Sequence, residues 1–121
     1  MENTETGRCN YRKIMRKNIL ILDIDTSDSK KIIINLIKEK EKFQMVRFVD
    51  TWISQMILPI IEDVLRKHNT KLSELTGIKV NTGPGSFTGI RVGMAVANTL
   101  GWLLDIPVNG KTGIVVDAVY K

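Results

Sequence analysis

The sequence predicts an α/β domain: a mixed five-stranded sheet with helices on its faces. Three observations predict it. Short apolar runs open the chain, helical spacing takes over after Asp50, and single short strands then alternate with helices. An opening meander followed by alternation requires both antiparallel and parallel pairing.

Asn18 to Ile24 is a mostly apolar run too short for a stable helix, and it reads as a buried strand. Asp23 within it is a charge that costs free energy unless it is paired. Asp25-Thr26-Ser27-Asp28-Ser29 forms a turn, and the isoleucine-rich Lys31 to Ile37 is the second strand. Lys38 to Glu41 is a charged hairpin turn, from which Phe43 to Val49 returns as the third strand.

Trp52, Met56, Ile60 and Val64 then recur every fourth residue, flanked by Ile53, Ile57, Ile61 and Leu65. This is the wide apolar stripe of a helix of about four turns. Asp50 or Thr51 is the expected N-cap, and Pro59 implies a kink or a late start. Ile78 to Asn81 is the fourth strand, Thr88 to Leu104 the second helix and Ile106 to Val108 the fifth strand. Thr112 to Tyr120 opens a third helix.

The bulk composition restricts function. With 121 residues, 43% hydrophobic and 26% charged, the chain fits one small globular domain. No run nears the roughly 20 apolar residues of a membrane span. No signal-peptide pattern follows the basic N-terminus, so a cytoplasmic location is the default expectation. One cysteine, Cys9, allows no intrachain disulfide, and His68 is the only histidine. No ligand cluster of the kind a zinc site needs is visible.

Net charge is +5, and residues 1–17 supply +3 of it through Arg8, Arg12, Lys13, Arg16 and Lys17 against Glu2 and Glu5. This tail reads either as a tRNA- or phosphate-seeking arm or as a solvated leader. The remaining residues, 18–121, form a single domain.

Three features are candidate sites. Asp25, Thr26 and Ser27 end the first strand, where they could orient a phosphate or a metal ion, or simply make a turn. Gly83, Gly85, Ser86 and Thr88 lie in a glycine-rich loop between a strand and a helix. Free backbone N–H groups there suit an anion, or the loop is only a tight turn with a helix cap. The spacing matches neither a Walker loop nor a dinucleotide fingerprint. In the second helix Gly89, Gly93, Ala97 and Gly101 share one face. Glycine inside a helix costs about 1 kcal/mol against alanine, so a close neighbour must compensate. That neighbour is either the protein's own sheet or first helix, or a partner chain.

Residues Ile19 to Leu22 with Ile24-Asp25-Thr26-Ser27 resemble the opening strand and turn of the TsaB (YeaZ) family. Leu58-Pro59-Ile60-Ile61 resembles its first-helix motif, Gly83 to Arg91 (GPGSFTGIR) its signature loop, and Ile106-Pro107-Val108 the strand after the second helix. The resemblance covers residues 18–121 and corresponds to the first of two domains. It implies the actin-like, ribonuclease-H-like superfold.

It also implies a non-catalytic subunit in the making of threonylcarbamoyladenosine on tRNA, beside the anticodon. The expected partners are a TsaD-like catalytic paralogue and a TsaE-like ATPase, with tRNA met indirectly and no membrane. ATP and metal are expected on those partners, not on this chain. The same resemblance turns the small-residue face, with Met56 and Ile60, into an expected partner interface. Two departures stand out. Ile53-Ser54-Gln55 occupies the place of a His-Ser-Glu-like segment, and Asp23 that of a small apolar residue. The competing readings are a homodimeric nucleotide-binding or phosphotransfer protein and a degenerate remnant.

Overall fold

The computed structural model describes residues 19–50 and 52–111. The elements run β1 (Leu20–Asp25), β2 (Lys31–Lys38), β3 (Glu41–Phe48), α1 (Ile53–Lys67), β4 (Gly77–Val80) and α2 (Phe87–Leu104), with a 3-10 turn at Leu72–Glu74. The sheet has four strands in the order β3-β2-β1-β4. β1 pairs antiparallel with β2 and parallel with β4. The mixed sheet is therefore as expected.

The fifth strand is a correction. Ile106 to Val108 joins the sheet edge only by a bridge from Val108 to Ile78. Ile78 N–H donates to the Pro107 carbonyl, and Asn109 N–H donates to the Ile78 carbonyl. Pro107 has no N–H to extend the ladder. Asn109 and Gly110, both at positive φ, then turn the chain away. The expected third helix and the basic tail lie outside the described residues.

Burial alternates along β1, with Leu20, Leu22 and Ile24 inside. β2 buries Ile32, Ile34 and Leu36 on the same face. Against these pack Ile57, Ile60, Ile61 and Val64 of α1, together with Ile90, Met94 and Ala97 of α2. Both helices thus cover one face of the sheet. Phe43 of β3 adds to this layer by stacking on His68, with ring centroids 4.2 Å apart.

The cap of the first helix differs from expectation. The N-cap of α1 is Trp52, and no side chain caps it. Asp50 is not the cap, and Thr51 lies outside the described residues. The helix begins at Ile53 and contains Pro59, so the late start is not seen. Pro59 and Gln55 are both exposed, so the Gln55 carbonyl that Pro59 cannot serve faces water. Arg66 and Lys67 place positive charge on the last turn, where the helix dipole favours it.

Asp23 is half-buried on the sheet face opposite the helices, and its carboxylate accepts from Asn35 Nδ2 at 3.3 Å. Asn35 is only 5% exposed, and its Oδ1 is enclosed without a donor. An unmet buried acceptor of this kind costs about 1–3 kcal/mol.

Candidate functional site

Sequence places the glycine-rich loop, residues 83–89, just after β4, and places the Asp25-Thr26-Ser27 turn just after β1. These strands are parallel neighbours, so both turns emerge at the same end of the sheet. The structure brings them into direct contact. Ser86 N–H donates to the Ser27 carbonyl at 2.7 Å. A Cβ on Gly85 would stand 2.7 Å from both Ser27 Cβ and Ser27 O. Only glycine permits this approach.

Asp25 organises the corner. Its Oδ1 accepts from Ser27 N at 3.0 Å, Ser27 Oγ at 2.6 Å and Asn81 Nδ2 at 3.2 Å. Asn81 in turn accepts from Gly83 N through Oδ1 at 2.9 Å, and its own N–H donates to the Ile24 carbonyl. Gly83 sits at φ 115°, a region that glycine tolerates. Asp25 thus commits Oδ1 to donors of its own chain, and these three bonds leave Oδ2 out. Asn81 was not singled out from sequence. Its signal was an Asn directly after a strand and two residues before Gly, the setting of an Asx turn.

Ser86 caps α2, its Oγ accepting from Gly89 N at 3.2 Å. Thr88 lies in the first helical turn and is exposed. Arg91 sets its guanidinium 5.3 Å from the centroid of the exposed Phe87 ring. Among the described residues no group of three or more His, Cys, Asp or Glu is placed to hold a metal ion. No described helix is long and apolar enough to cross a membrane.

Thr26 is the pivot between sheet and helix. It is fully buried, and its Oγ1 donates to the Gly89 carbonyl at 2.5 Å. Thr26→Val keeps the shape and removes the donor. It is expected to lower unfolding free energy by about 1 kcal/mol, measured as the shift in urea midpoint.

The glycine stripe of α2 points inward, which corrects its assignment as a partner interface. Gly89, Gly93, Ala97 and Gly101 are all buried. A Cβ on Gly89 would collide with the Thr26 carbonyl oxygen, one on Gly93 with Thr26 Oγ1, and one on Gly101 with Val108 Cγ2. The close neighbour is the protein's own sheet end. Ile60 is likewise buried and Met56 half-buried against the core.

The exposed apolar surface lies elsewhere on the helices. Leu58, Trp102 and Leu103 are exposed. Leu58, Pro59, Leu65, Leu72 and Leu100, with Glu62, Arg66 and Lys71, line an open groove of about 670 Å³ formed by α1, the segment after it and one residue of α2. Sequence periodicity missed it, because residues outside the core stripe read as ordinary helix surface.

The chain is thus an α/β domain in which a glycine-rich loop clasps the turn after the first strand. Residues 52–111 match the family model described as TsaD: tRNA N6-adenosine threonylcarbamoyltransferase. The tRNA threonylcarbamoyladenosine biosynthesis protein TsaB of Haemophilus influenzae is 32% identical over 92 residues, covering 76% of this chain and 39% of the relative. TsaB of Bacillus subtilis is 32% identical over 94 residues, covering 78% and 41%. The solved structure of YeaZ from Pseudomonas aeruginosa superposes with a TM-score of 0.70 at 27% identity, covering 82% of this chain and 44% of that one. The chain belongs to the TsaB (YeaZ) family. It spans about two fifths of the length of the curated relatives it matches.

Proposed function

We propose that this chain is a non-catalytic subunit in threonylcarbamoyladenosine biosynthesis on tRNA, and that it docks a TsaD-type catalytic partner through the outer surface of α1 and α2. We read the domain as the first half of an actin-like, ribonuclease-H-like protein. The observation that carries the role is the GPGSFTGIR corner, placed between parallel strand and helix in a chain similar to proteins named for this pathway. The groove lined by Leu58, Pro59 and Leu72, rimmed by Glu62, Arg66 and Lys71, and the exposed Leu103 on α2 support the docking surface, since exposed apolar side chains with a polar rim suit an interface.

Under this reading ATP and metal reside on the partner proteins, a TsaE-type ATPase acts with the pair, tRNA is met through them, and the setting is cytoplasmic.

Light scattering after gel filtration tests it, with the chain alone and mixed with a TsaD-type protein from the same source. A one-to-one complex is expected. Absence of a complex at micromolar concentrations would sink the reading. Heat on titrating the chain with ATP and magnesium would favour the nucleotide-binding alternative.

A further inference from the structure

One side chain secures the far end of β4. At Ile78 the main chain does this work: Ile78 N–H donates to the Pro107 carbonyl, and its own carbonyl accepts from Asn109 N–H. Two residues on, the Asn109 side chain takes over. Its Oδ1 accepts from Val80 N at 2.8 Å, and its Nδ2 donates to the Val80 carbonyl at 3.1 Å. A carboxamide carries an acceptor and a donor side by side, so it stands in for a strand residue. Val80 leads directly into Asn81, which bonds Asp25 and Gly83 at the glycine-rich corner.

Asn109 also opens a tight turn. Val108 and Lys111 exchange both main-chain hydrogen bonds, at 2.9 and 3.0 Å. Between them Asn109 and Gly110 lie at φ 52° and 80°. This is the two-residue hairpin turn that Asn-Gly favours. Both residues are exposed, and a Cβ on Gly110 would meet nothing within 4 Å. No hydrogen bond among the described residues holds the Gly110 N–H. The peptide nitrogen that follows Asn109 is therefore uncovered. Every other asparagine of the chain precedes threonine, tyrosine, isoleucine or leucine, whose side chain crowds that nitrogen.

We propose that Asn109 is a site of spontaneous covalent modification, and that the product unlocks the end of β4. The Gly110 nitrogen attacks Asn109 Cγ and a cyclic imide forms. The Cγ–Nδ2 bond breaks, and Nδ2 leaves as ammonia with the proton from Gly110. Water then opens the imide at either carbonyl, giving aspartate or isoaspartate. Water enters, ammonia leaves, and nothing is oxidised or reduced. Either product lacks the Nδ2 donor and sets a negative charge against the Val80 carbonyl. Val80 is only 6% exposed, so its carbonyl loses a partner that water does not freely replace. Isoaspartate also lengthens the main chain within the turn. The two bonds to Val80 hold the amide in place, so attack proceeds when this clasp opens, and its rate counts those openings.

The test uses the purified full chain, aged at mildly alkaline pH with and without urea. Fragment spectra of the tryptic peptide 92–111 place the mass gain, and the same peptide carries Asn98 before Thr99 as an internal control. Asn109 is expected to convert ahead of every other asparagine, and faster in urea, where the clasp is gone. Asn109→Asp, which carries the product's charge, is expected to lower the urea midpoint by about 0.5 M or more. Asn109→Gly suits the turn but has no amide; it is expected to lower the midpoint too, and carries this arm should Asn109→Asp fail to fold. The proposal is overturned if Asn109 stays intact while Asn98 reacts, or if its rate is the same in urea. Wild-type midpoints in both variants overturn it equally. None of these readouts involves the catalytic partner.

Discussion

Gly93→Val is expected to lower the unfolding free energy by about 3 kcal/mol, at the upper end of what overpacking a close-packed core costs. The first added atom lands on Thr26 Oγ1, which is fully buried and already committed to the Gly89 carbonyl. Thr26 cannot rotate away without giving up that bond, and α2 cannot retreat without opening its contact with Ile24. The penalty therefore combines steric displacement with a lost buried hydrogen bond. A small domain has about 5–15 kcal/mol in total, so a large part of its stability would go. Ala95→Val, two residues on and on the opposite, exposed side of the same helix, should cost only the propensity difference, about 0.5 kcal/mol. Urea midpoints of the two variants decide it. If Gly93→Val kept the wild-type midpoint and lost only partner binding, the inward orientation of the glycine face would be wrong.

That glycine face shows where sequence stops being informative. Spacing of four residues fixes which positions share a helix side, and it cannot say whose backbone lies against them. The neighbour came from tertiary structure: β1 leads directly into Thr26, and the parallel pairing of β1 with β4 delivers the loop and α2 to that point. The strands themselves were legible, because isoleucine-rich runs bounded by charged or turn residues leave few alternatives. Each predicted strand from β1 to β4 lies within two residues of its observed bounds.

Pairing at the edge was not legible. Ile106 to Val108 has strand composition, yet Pro107 and the Asn109-Gly110 turn cut its ladder to one bridge. The α1 cap failed for a related reason. Asp50 is a good capping residue by type, but the chain reaches the helix through an extended Trp52 instead. Asp25 was found by position, while its role as an internal hydrogen-bond hub depends on Asn81, 56 residues away.

The inward turn of the small residues moves the expected docking surface to the side chains that remain outside. Leu103 follows Leu100 by three residues, so it extends the α2 wall of the groove whose opposite wall carries Leu58. Leu103 is 63% exposed and Leu58 54%. Burying both against a partner removes apolar area from water, and central apolar anchors dominate such interfaces. Leu103→Asp and Leu58→Asp are each expected to weaken binding to a TsaD-type partner by about 2 kcal/mol or more, roughly 30-fold in Kd.

Neither change touches the core cluster, so the urea midpoint should move by no more than about 0.5 kcal/mol. Calorimetric titration against the partner, run beside the unfolding curve, separates the two effects. Loss of binding with intact stability assigns the groove to the partner. Wild-type affinity in both variants would remove the α1–α2 surface from the complex, and would leave the exposed Phe87–Arg91 corner as the next surface to probe.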